Sequence, residues 1–235
     1  MPLRAIFFDA GNTLLYPRVD ELAQELTAAE FPATVEDFYL AEREAKRKLD
    51  AWLWPRLGTT ELPAQADRMY WVEYLRALLE RLEVPADRHA ALTEQLAERF
   101  RDIRFWSRVF PDTEPVLQSL KASGYTLGVI SNSVGTIADQ LGRAGLGRYF
   151  RFILDSAVVG VEKPNPAIFN MALDQAGVPA GDALFIGDTY AIDVGGAGQV
   201  GIRAVLIDRF GCYDDSVGCR RLTTLGQLTE FVRAS

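Results

Sequence analysis

Five short apolar segments are spread along the chain, and each ends in small or polar residues. Short apolar runs of this kind are typical of strands that are buried on both faces of a parallel sheet. Segments of helical length and period lie between the later ones. Alternating strands and helices predict an α/β fold with a doubly wound parallel sheet. The predicted strands are Ala5–Phe8, Leu127–Ile130, Phe152–Leu154, Ala183–Ile186 and Ala204–Ile207, and the predicted helices are Asp112–Ala122, Val134–Ala144 and Pro166–Ala176.

The region after the first strand interrupts this alternation, because it contains helical patterns and no predicted strand. Thr34 to Asp37 resemble a capping box and open a helix that we expect to end near Leu53. Two more helical segments follow, Ala64–Leu82 and Asp87–Arg101. We therefore predict an all-helical domain inserted into the α/β core. The predicted boundaries are 1–16 and 108–235 for the core and 17–107 for the inserted domain.

Charge and hydropathy restrict the partners of the protein. The formal net charge is −7, and an acidic surface repels polyphosphate backbones, so we expect no nucleic-acid partner. No apolar run approaches the roughly 20 residues of a membrane-spanning helix, and the apolar N-terminus leads directly into Asp9 without a signal-peptide pattern. We therefore predict a cytoplasmic protein with no membrane partner. The oligomeric state is left open.

Histidine and cysteine chemistry is not favoured by the sequence. The single histidine, His89, lies in an alternating charged and apolar stretch that is typical of a surface helix. Cys212 and Cys219 lie in a loop rich in Gly and Asp, and two cysteines in a cytosolic chain are usually free thiols. Their neighbourhood offers too few ligands for a zinc site.

Residues whose side chains could take part in catalysis or bind a metal follow four of the predicted strands. Asp9 follows the first, Ser131 the second, Lys163 the third, and Asp188 with Asp193 the fourth. The carboxyl ends of parallel strands meet at one edge of a sheet, so these side chains are expected to converge on one pocket. A carboxylate there can attack phosphorus or carbon. A lysine and a divalent metal such as Mg²⁺ can offset the charge of a phosphoryl group.

These four segments resemble the four motifs of the haloacid dehalogenase (HAD) superfamily of hydrolases. Asp9 matches the nucleophile of the family, Ser131 its second motif and Lys163 its third, so the resemblance implies that these three are catalytic. It also implies a Rossmann-like core and a helical C1 cap that closes over the pocket. The substrate it implies is a small phosphorylated metabolite.

The same resemblance implies a magnesium site and further binding residues. Mg²⁺ would be held by Asp9, the backbone carbonyl of Gly11 and Asp188. Asp193 would not bind the metal directly but would orient a bound water or hold Lys163. Substrate binding is expected of two more residues of the motifs, Thr13 and Asn132.

Gly11 departs from the pattern of the family's phosphatases, which carry a second acid two residues after the nucleophile. That acid protonates the leaving group and then activates water, a contribution of about 10²–10⁴-fold in rate. Glycine keeps the backbone carbonyl and removes a like charge near Asp9, which favours the ionised nucleophile. We therefore predict a site that can bind metal but has impaired phosphoryl turnover.

Three functions are compatible with these residues. The first is a magnesium-dependent, phosphatase-like hydrolase that forms an aspartyl phosphate at Asp9. The second is a catalytically weak or non-catalytic member that binds a phosphorylated ligand or a partner protein. The third is a 2-haloacid dehalogenase, a type that also lacks the second acid but usually has an aromatic residue there and no metal.

The inserted helical region contains a group of aromatic residues and two arginines of interest. Packing within the helices is the expected role of most of the aromatic residues, although one or two could line the substrate pocket. The arginines could meet an anionic substrate or lie on a solvated face. The aromatic residues are Trp52, Trp54, Tyr70, Trp71 and Tyr74, and the arginines are Arg56 and Arg68.

Overall fold

The computed structural model describes residues 3–63, 65–214 and 217–234. It contains one six-stranded parallel sheet with the order β3-β2-β1-β4-β5-β6. The strands are β1 Ala5–Phe8, β2 Thr126–Ser131, β3 Phe152–Asp155, β4 Ala183–Gly187, β5 Arg203–Ile207 and β6 Arg220–Leu222. All five predicted strands are confirmed. Strand β6 was not predicted, because two of its three residues are arginines and it lies at the edge of the sheet.

Within the described ranges, four α-helices lie between residues 17 and 107, and we call this inserted region the cap. They are α1 Val19–Ala28, α2 Val35–Leu53, α3 Ala66–Arg81 and α4 His89–Arg101, with 3₁₀ turns at Trp54–Arg56 and Ala86–Arg88. The capping box is confirmed: the Thr34 side chain accepts from the Asp37 backbone N–H at 3.3 Å, and the Asp37 carboxylate accepts from the Thr34 N–H at 2.9 Å. Ala64, where the second helical pattern was expected to begin, lies outside the described residues.

Helices cover both faces of the sheet, as expected of a doubly wound fold. Ile6 and Phe8 of β1 pack into one apolar layer and Ala5 and Phe7 into the other, because successive side chains of a strand point to opposite faces. The core helices are α5 Thr113–Ala122, α6 Ile137–Arg143, α7 Ser156–Val159, α8 Pro166–Ala176, α9 Gly196–Gln199 and α10 Gln227–Arg233, with 3₁₀ turns at Gly147–Tyr149 and Ala180–Asp182 and a π-helical turn at Tyr190–Gly195. The predicted fold class is confirmed.

The chain enters and leaves the cap at one place. Tyr16 and Arg108 form an isolated antiparallel bridge, in which each backbone N–H donates to the carbonyl of the other at 2.9 and 3.1 Å. The bridge lies where the sequence places the domain boundaries, and the division at these residues stays a prediction. None of the helices in the described ranges combines the length and the hydropathy needed to cross a membrane.

Candidate active site

One cavity of about 450 Å³ lies at the carboxyl ends of the central strands and is lined by residues of both the core and the cap. It brings together the five residues that follow the four predicted strands: Asp9, Ser131, Lys163, Asp188 and Asp193. All five are buried. The convergence follows from the parallel sheet, in which β1 lies between β2 and β4. The charged groups that follow the separate strands therefore meet in one cavity.

Lys163 connects the first and fourth strand ends. Its ammonium lies 2.5 Å from Asp9 Oδ1 and 2.7 Å from Asp193 Oδ1, and the residue is only 2% exposed. Asn132 orients the loop that carries Lys163. The Asn132 amide donates to the Lys163 carbonyl at 2.9 Å and accepts from the Lys163 backbone N–H at 2.8 Å. Lys163 is thus held in place through both its backbone and its side chain.

Asp193 also organises the turn after β4. Its Oδ2 accepts from the backbone N–H groups of Asp188 at 3.0 Å and Thr189 at 2.9 Å. It projects from the π-helical turn, a conformation often found at functional sites. The Asp193 carboxyl packs against Gly187, where an added Cβ would lie 2.4 Å from Asp193 Cγ, so this close approach requires glycine.

The electrostatics of the cavity favour an additional positive charge. Burial raises the pKa of the Asp9 carboxyl to about 8, although Lys163 opposes the shift, and burial likewise raises the pKa of Asp188 to about 6 against the pull of Lys46. Burial alone would lower the pKa of the Lys163 ammonium, but Asp193 and Asp9 raise it above its ordinary value. The lysine therefore stays charged, while the carboxylates are held in a poorly solvated cluster.

Three carboxylates of the cluster have the geometry of a cation site. One oxygen each of Asp9, Asp188 and Asp193 can be chosen so that all lie within 4.8 Å of one another. Hard carboxylate oxygens are the protein ligands that Mg²⁺ prefers. The donor set therefore fits a small divalent cation.

A sequence profile of haloacid dehalogenase-like hydrolases matches residues 3–201. The chain belongs to the HAD hydrolase family. The predicted family membership and the assignment as a hydrolase are confirmed.

Relatives of this HAD hydrolase include phosphatases. A glyceraldehyde 3-phosphate phosphatase of Methanopyrus kandleri is 30% identical over 91% of this chain and 87% of its own length. Haloacid dehalogenase-like hydrolase domain-containing protein 3 of Danio rerio is 32% identical over 89% of this chain and 86% of its own length. The crystal structure of a HAD phosphatase from Thermococcus onnurineus superposes with a TM-score of 0.60 at 22% identity, covering 98% of both chains, and supports the fold.

The cap contributes a buried ion pair to the HAD site that sequence reasoning missed. Lys46 of α2 is 3% exposed, and its ammonium lies 2.7 Å from Asp188 Oδ2 and 2.7 Å from Glu42 Oε1. Glu42 also accepts from the Asn12 side-chain amide at 3.2 Å, which connects the loop after β1 to the cap. The ion pairs of Lys46 and Lys163 thus join four carboxylates to two ammonium groups, which leaves two negative charges when all four carboxylates are ionised.

A signal for this ion pair was present in the helical pattern. The buried residues Phe38, Leu49 and Leu53 form the apolar stripe of α2, and the spacing 38-42-46-49-53 places Glu42 and Lys46 within that stripe. Charged residues at apolar positions of an amphipathic helix indicate either a buried pair or a functional contact. An i,i+4 pair of opposite charge is also common on exposed helices, and this hides the signal.

Gly11 lies next to Asn12 in the loop after β1 and faces the indole ring of Trp106. A Cβ added to Gly11 would lie 3.4 Å from Cζ3 of Trp106. The indole N–H of Trp106 donates to the Phe100 carbonyl at 2.8 Å, which fixes the orientation of the ring. The space in which phosphatases of the family carry the second acid is therefore bordered by an aromatic residue.

The other predicted residues are divided between the cavity and its surroundings. Gly11 and Asn132 line the cavity, as do Tyr70, Trp71 and Arg68 of the cap. Thr13 does not line it: this residue is fully buried, and its hydroxyl has no hydrogen-bond partner within the described part of the chain. The predicted residues that lie outside the cavity are Thr13, Trp52, Trp54, Arg56, Tyr74 and His89.

Proposed function

We propose that this protein is a magnesium-dependent phosphatase of small phosphorylated metabolites, acting through an aspartyl phosphate at Asp9. The observation that carries the proposal is the position of Lys163, whose buried ammonium bridges Asp9 and Asp193 beside the Asp188 carboxylate. A nucleophilic carboxylate, a fixed cation and a set of hard oxygen ligands in one cavity are the components that phosphoryl transfer requires. The phosphatase relative from Methanopyrus kandleri supports the same reaction class.

Five residues of the cavity have a role in this proposal. The Asp9 carboxylate attacks phosphorus, and the P–O bond to the leaving group breaks. Lys163 binds a phosphoryl oxygen and stabilises the negative charge, while the Ser131 hydroxyl donates to another oxygen. Asp193 keeps Lys163 in position, and Asn132 fixes the loop that carries it. Water then hydrolyses the aspartyl phosphate and releases inorganic phosphate.

The carboxylates of Asp9 and Asp188, with the Gly11 carbonyl, would hold Mg²⁺. The ion pairs of the site leave two negative charges, which a divalent cation balances. When bound, Mg²⁺ supplies positive charge for the phosphoryl oxygens. The raised pKa of Asp9, about 8, agrees with this assignment, because a nearby cation would favour the ionised nucleophile at neutral pH.

Hydrolysis of p-nitrophenyl phosphate with and without Mg²⁺ tests the proposal. We expect metal-dependent release of phosphate by the wild-type protein and none by Asp9→Asn. Asp182→Asn is a matched control, since Asp182 is also a buried aspartate but does not line the cavity. Acid-quenched samples should contain a covalent phosphoryl group in the wild type and in Asp182→Asn only.

Two other outcomes would lead to different functions. No turnover, or turnover that survives Asp9→Asn, would refute the phosphatase and favour a member that binds a phosphorylated ligand or a partner. The indole of Trp106 beside Gly11 is the observation that favours a dehalogenase, because an aromatic group borders the position of the second acid. Halide release from 2-chloropropionate without metal, in the absence of phosphatase activity, would support that alternative.

A further inference from the structure

The cavity is much larger than a phosphoryl group needs. Its volume of about 450 Å³ lies within the range of pockets that enclose a whole small organic ligand, roughly 300–1,000 Å³. The charged residues Asp9, Lys163 and Asp188 line part of it, and further charged residues of the lining are Asp67, Arg68, Arg101 and Glu162. The remaining walls therefore select the group to which the phosphate is attached.

An aromatic cluster of the cap forms one of these walls. Trp71 packs against Phe100 with ring centroids 5.1 Å apart and against Trp106 at 6.3 Å, and all three rings line the cavity. Leu75 and Ala97 extend the apolar surface. Rings of this kind bind apolar and aromatic ligands through large contact areas, with preferred edge-to-face and offset-stacked geometries.

This wall cannot protonate a leaving group at Gly11. Trp106 borders Gly11, and its single polar hydrogen is already donated to the Phe100 carbonyl. An indole N–H is a donor only and has no second proton to transfer. A leaving oxygen beside Trp106 receives no proton from the indole, and this favours a group that departs readily as an anion, such as a phenol-type group with a pKa of about 10. Departure as an anion is harder for an alkoxide, because an alkyl alcohol resembles water and is a much weaker acid than a phenol.

We propose that the substrate of this site is a phosphate monoester of an aromatic, phenol-type alcohol whose ring packs against Trp71, Phe100 and Trp106. The proposal rests on the phosphatase function proposed above. The Asp9 carboxylate forms a bond to phosphorus while the bond from phosphorus to the aryl oxygen breaks. The aryloxide takes a proton from solvent, and water cleaves the aspartyl phosphate, so the net reaction converts the monoester and water into a phenol and inorganic phosphate.

Four phosphate compounds separate ring recognition from leaving-group chemistry. In 1-naphthyl phosphate an apolar ring is joined to a good leaving group, and acetyl phosphate has a good leaving group without a ring. Cyclohexyl phosphate has an apolar ring with an alkoxide leaving group, whereas phosphoserine has neither property. Phosphoserine also tests a polar alternative, because the acidic residues Asp67 and Glu162 line the same cavity and would suit an ammonium group.

The expected order follows from the two features of the wall. We expect kcat/KM for 1-naphthyl phosphate to exceed that for acetyl phosphate by about tenfold, through aromatic contacts. Cyclohexyl phosphate should inhibit competitively and be hydrolysed about 100-fold more slowly than 1-naphthyl phosphate, since its alkoxide is the poorer leaving group and the indole beside Gly11 supplies no proton. Turnover of acetyl phosphate or phosphoserine at or above the rate of 1-naphthyl phosphate, with Asp9→Asn inactive, would overturn this inference and keep the phosphatase. If none of the four is hydrolysed, the phosphatase proposal fails, and this inference fails with it.

Variants of the aromatic wall give a second readout. Trp106→Ala should lower kcat/KM for 1-naphthyl phosphate by about tenfold and that for acetyl phosphate by much less, and Trp106→Phe should recover part of the larger loss. Trp52→Ala is the matched control, because Trp52 is a half-buried cap tryptophan outside the cavity. Equal losses for both substrates would indicate a purely structural role and overturn the assignment. Trp71→Ala provides the same test if Trp106→Ala does not fold.

Discussion

Removal of the Lys46 ammonium is expected to destabilise the contact between cap and core strongly. Lys46→Met keeps the length and the apolar stem of the side chain, so the loss reports the charge. The ammonium lies 2.7 Å from both Glu42 and Asp188, and the lysine is 3% exposed. Removing one partner of a buried ion pair costs about 3–5 kcal/mol, because the remaining charges stay buried without compensation. For a chain of this size the midpoint of thermal unfolding should fall by roughly 10 °C.

Urea unfolding followed by circular dichroism measures this loss. Lys48→Met is the matched control on the same helix, where Lys48 forms ion pairs with Glu44 and Glu73 near solvent. Exposed pairs contribute little, so the control should be close to the wild type. Added Mg²⁺ should restore part of the stability of Lys46→Met, because the variant site carries a further uncompensated negative charge. A loss equal to that of Lys48→Met would refute the reasoning and show that α2 does not bury this pair against the core.

Three further predictions concern the catalytic cluster. In metal-free buffer the free energy of unfolding should fall as pH rises from about 4 to about 8, because Asp9 and Asp188, with pKa values raised from 3.8 to about 8 and about 6, retain protons that the unfolded chain has released. Gly11→Asp with Trp106→Ala should raise the turnover of alkyl phosphates at least about tenfold by restoring an acid, and Gly11→Asp alone should raise it less, since the indole borders the new side chain. Asp193→Asn should lower kcat/KM by about 10–100-fold, because Lys163 loses a carboxylate partner.

Each of these predictions has a measurement that can contradict it. Thermal unfolding in EDTA across the pH range would contradict the first if stability rose or stayed constant, and repetition with Mg²⁺ should give a smaller slope. Steady-state kinetics with glycerol 3-phosphate test the second, which fails if the double variant gains nothing. Asp182→Asn is the control for Asp193→Asn, and equal activities of the two would show that Asp193 does not support the site.

The sheet and the order of its functional residues could be predicted because they depend on local patterns. Buried parallel strands have continuous apolar sequences, and parallel strand ends meet at one edge, so Asp9, Lys163 and Asp188 could be expected together before any contact was known. Strand β6 could not be predicted in this way, because Arg220 and Arg221 leave it without an apolar run.

The contacts between cap and core could not be predicted in the same way. Lys46 reaches Asp188 only because α2 docks on the sheet edge, and its pairing with Glu42 is equally typical of an exposed helix. The approach of Trp106 to Gly11 joins distant parts of the chain, and no local pattern indicates it. Likewise, the sequence motif alone did not indicate that Thr13 lies outside the cavity. Such contacts depend on the orientation of two packed units, which periodicity does not encode.

The bridge between Tyr16 and Arg108 has a consequence for how such enzymes diversify. The two connecting segments are hydrogen-bonded to each other where the chain leaves and rejoins the core, so their ends are adjacent in space. The entropy of closing a loop grows only slowly with its length, so the core can accept inserts of very different sizes between these two residues. Exchange or redesign of the inserted helices can therefore alter the range of compounds accepted without rebuilding the carboxylates and the lysine beneath them. Because of the bridge, different inserted domains can be joined to the same core at the same two connecting segments.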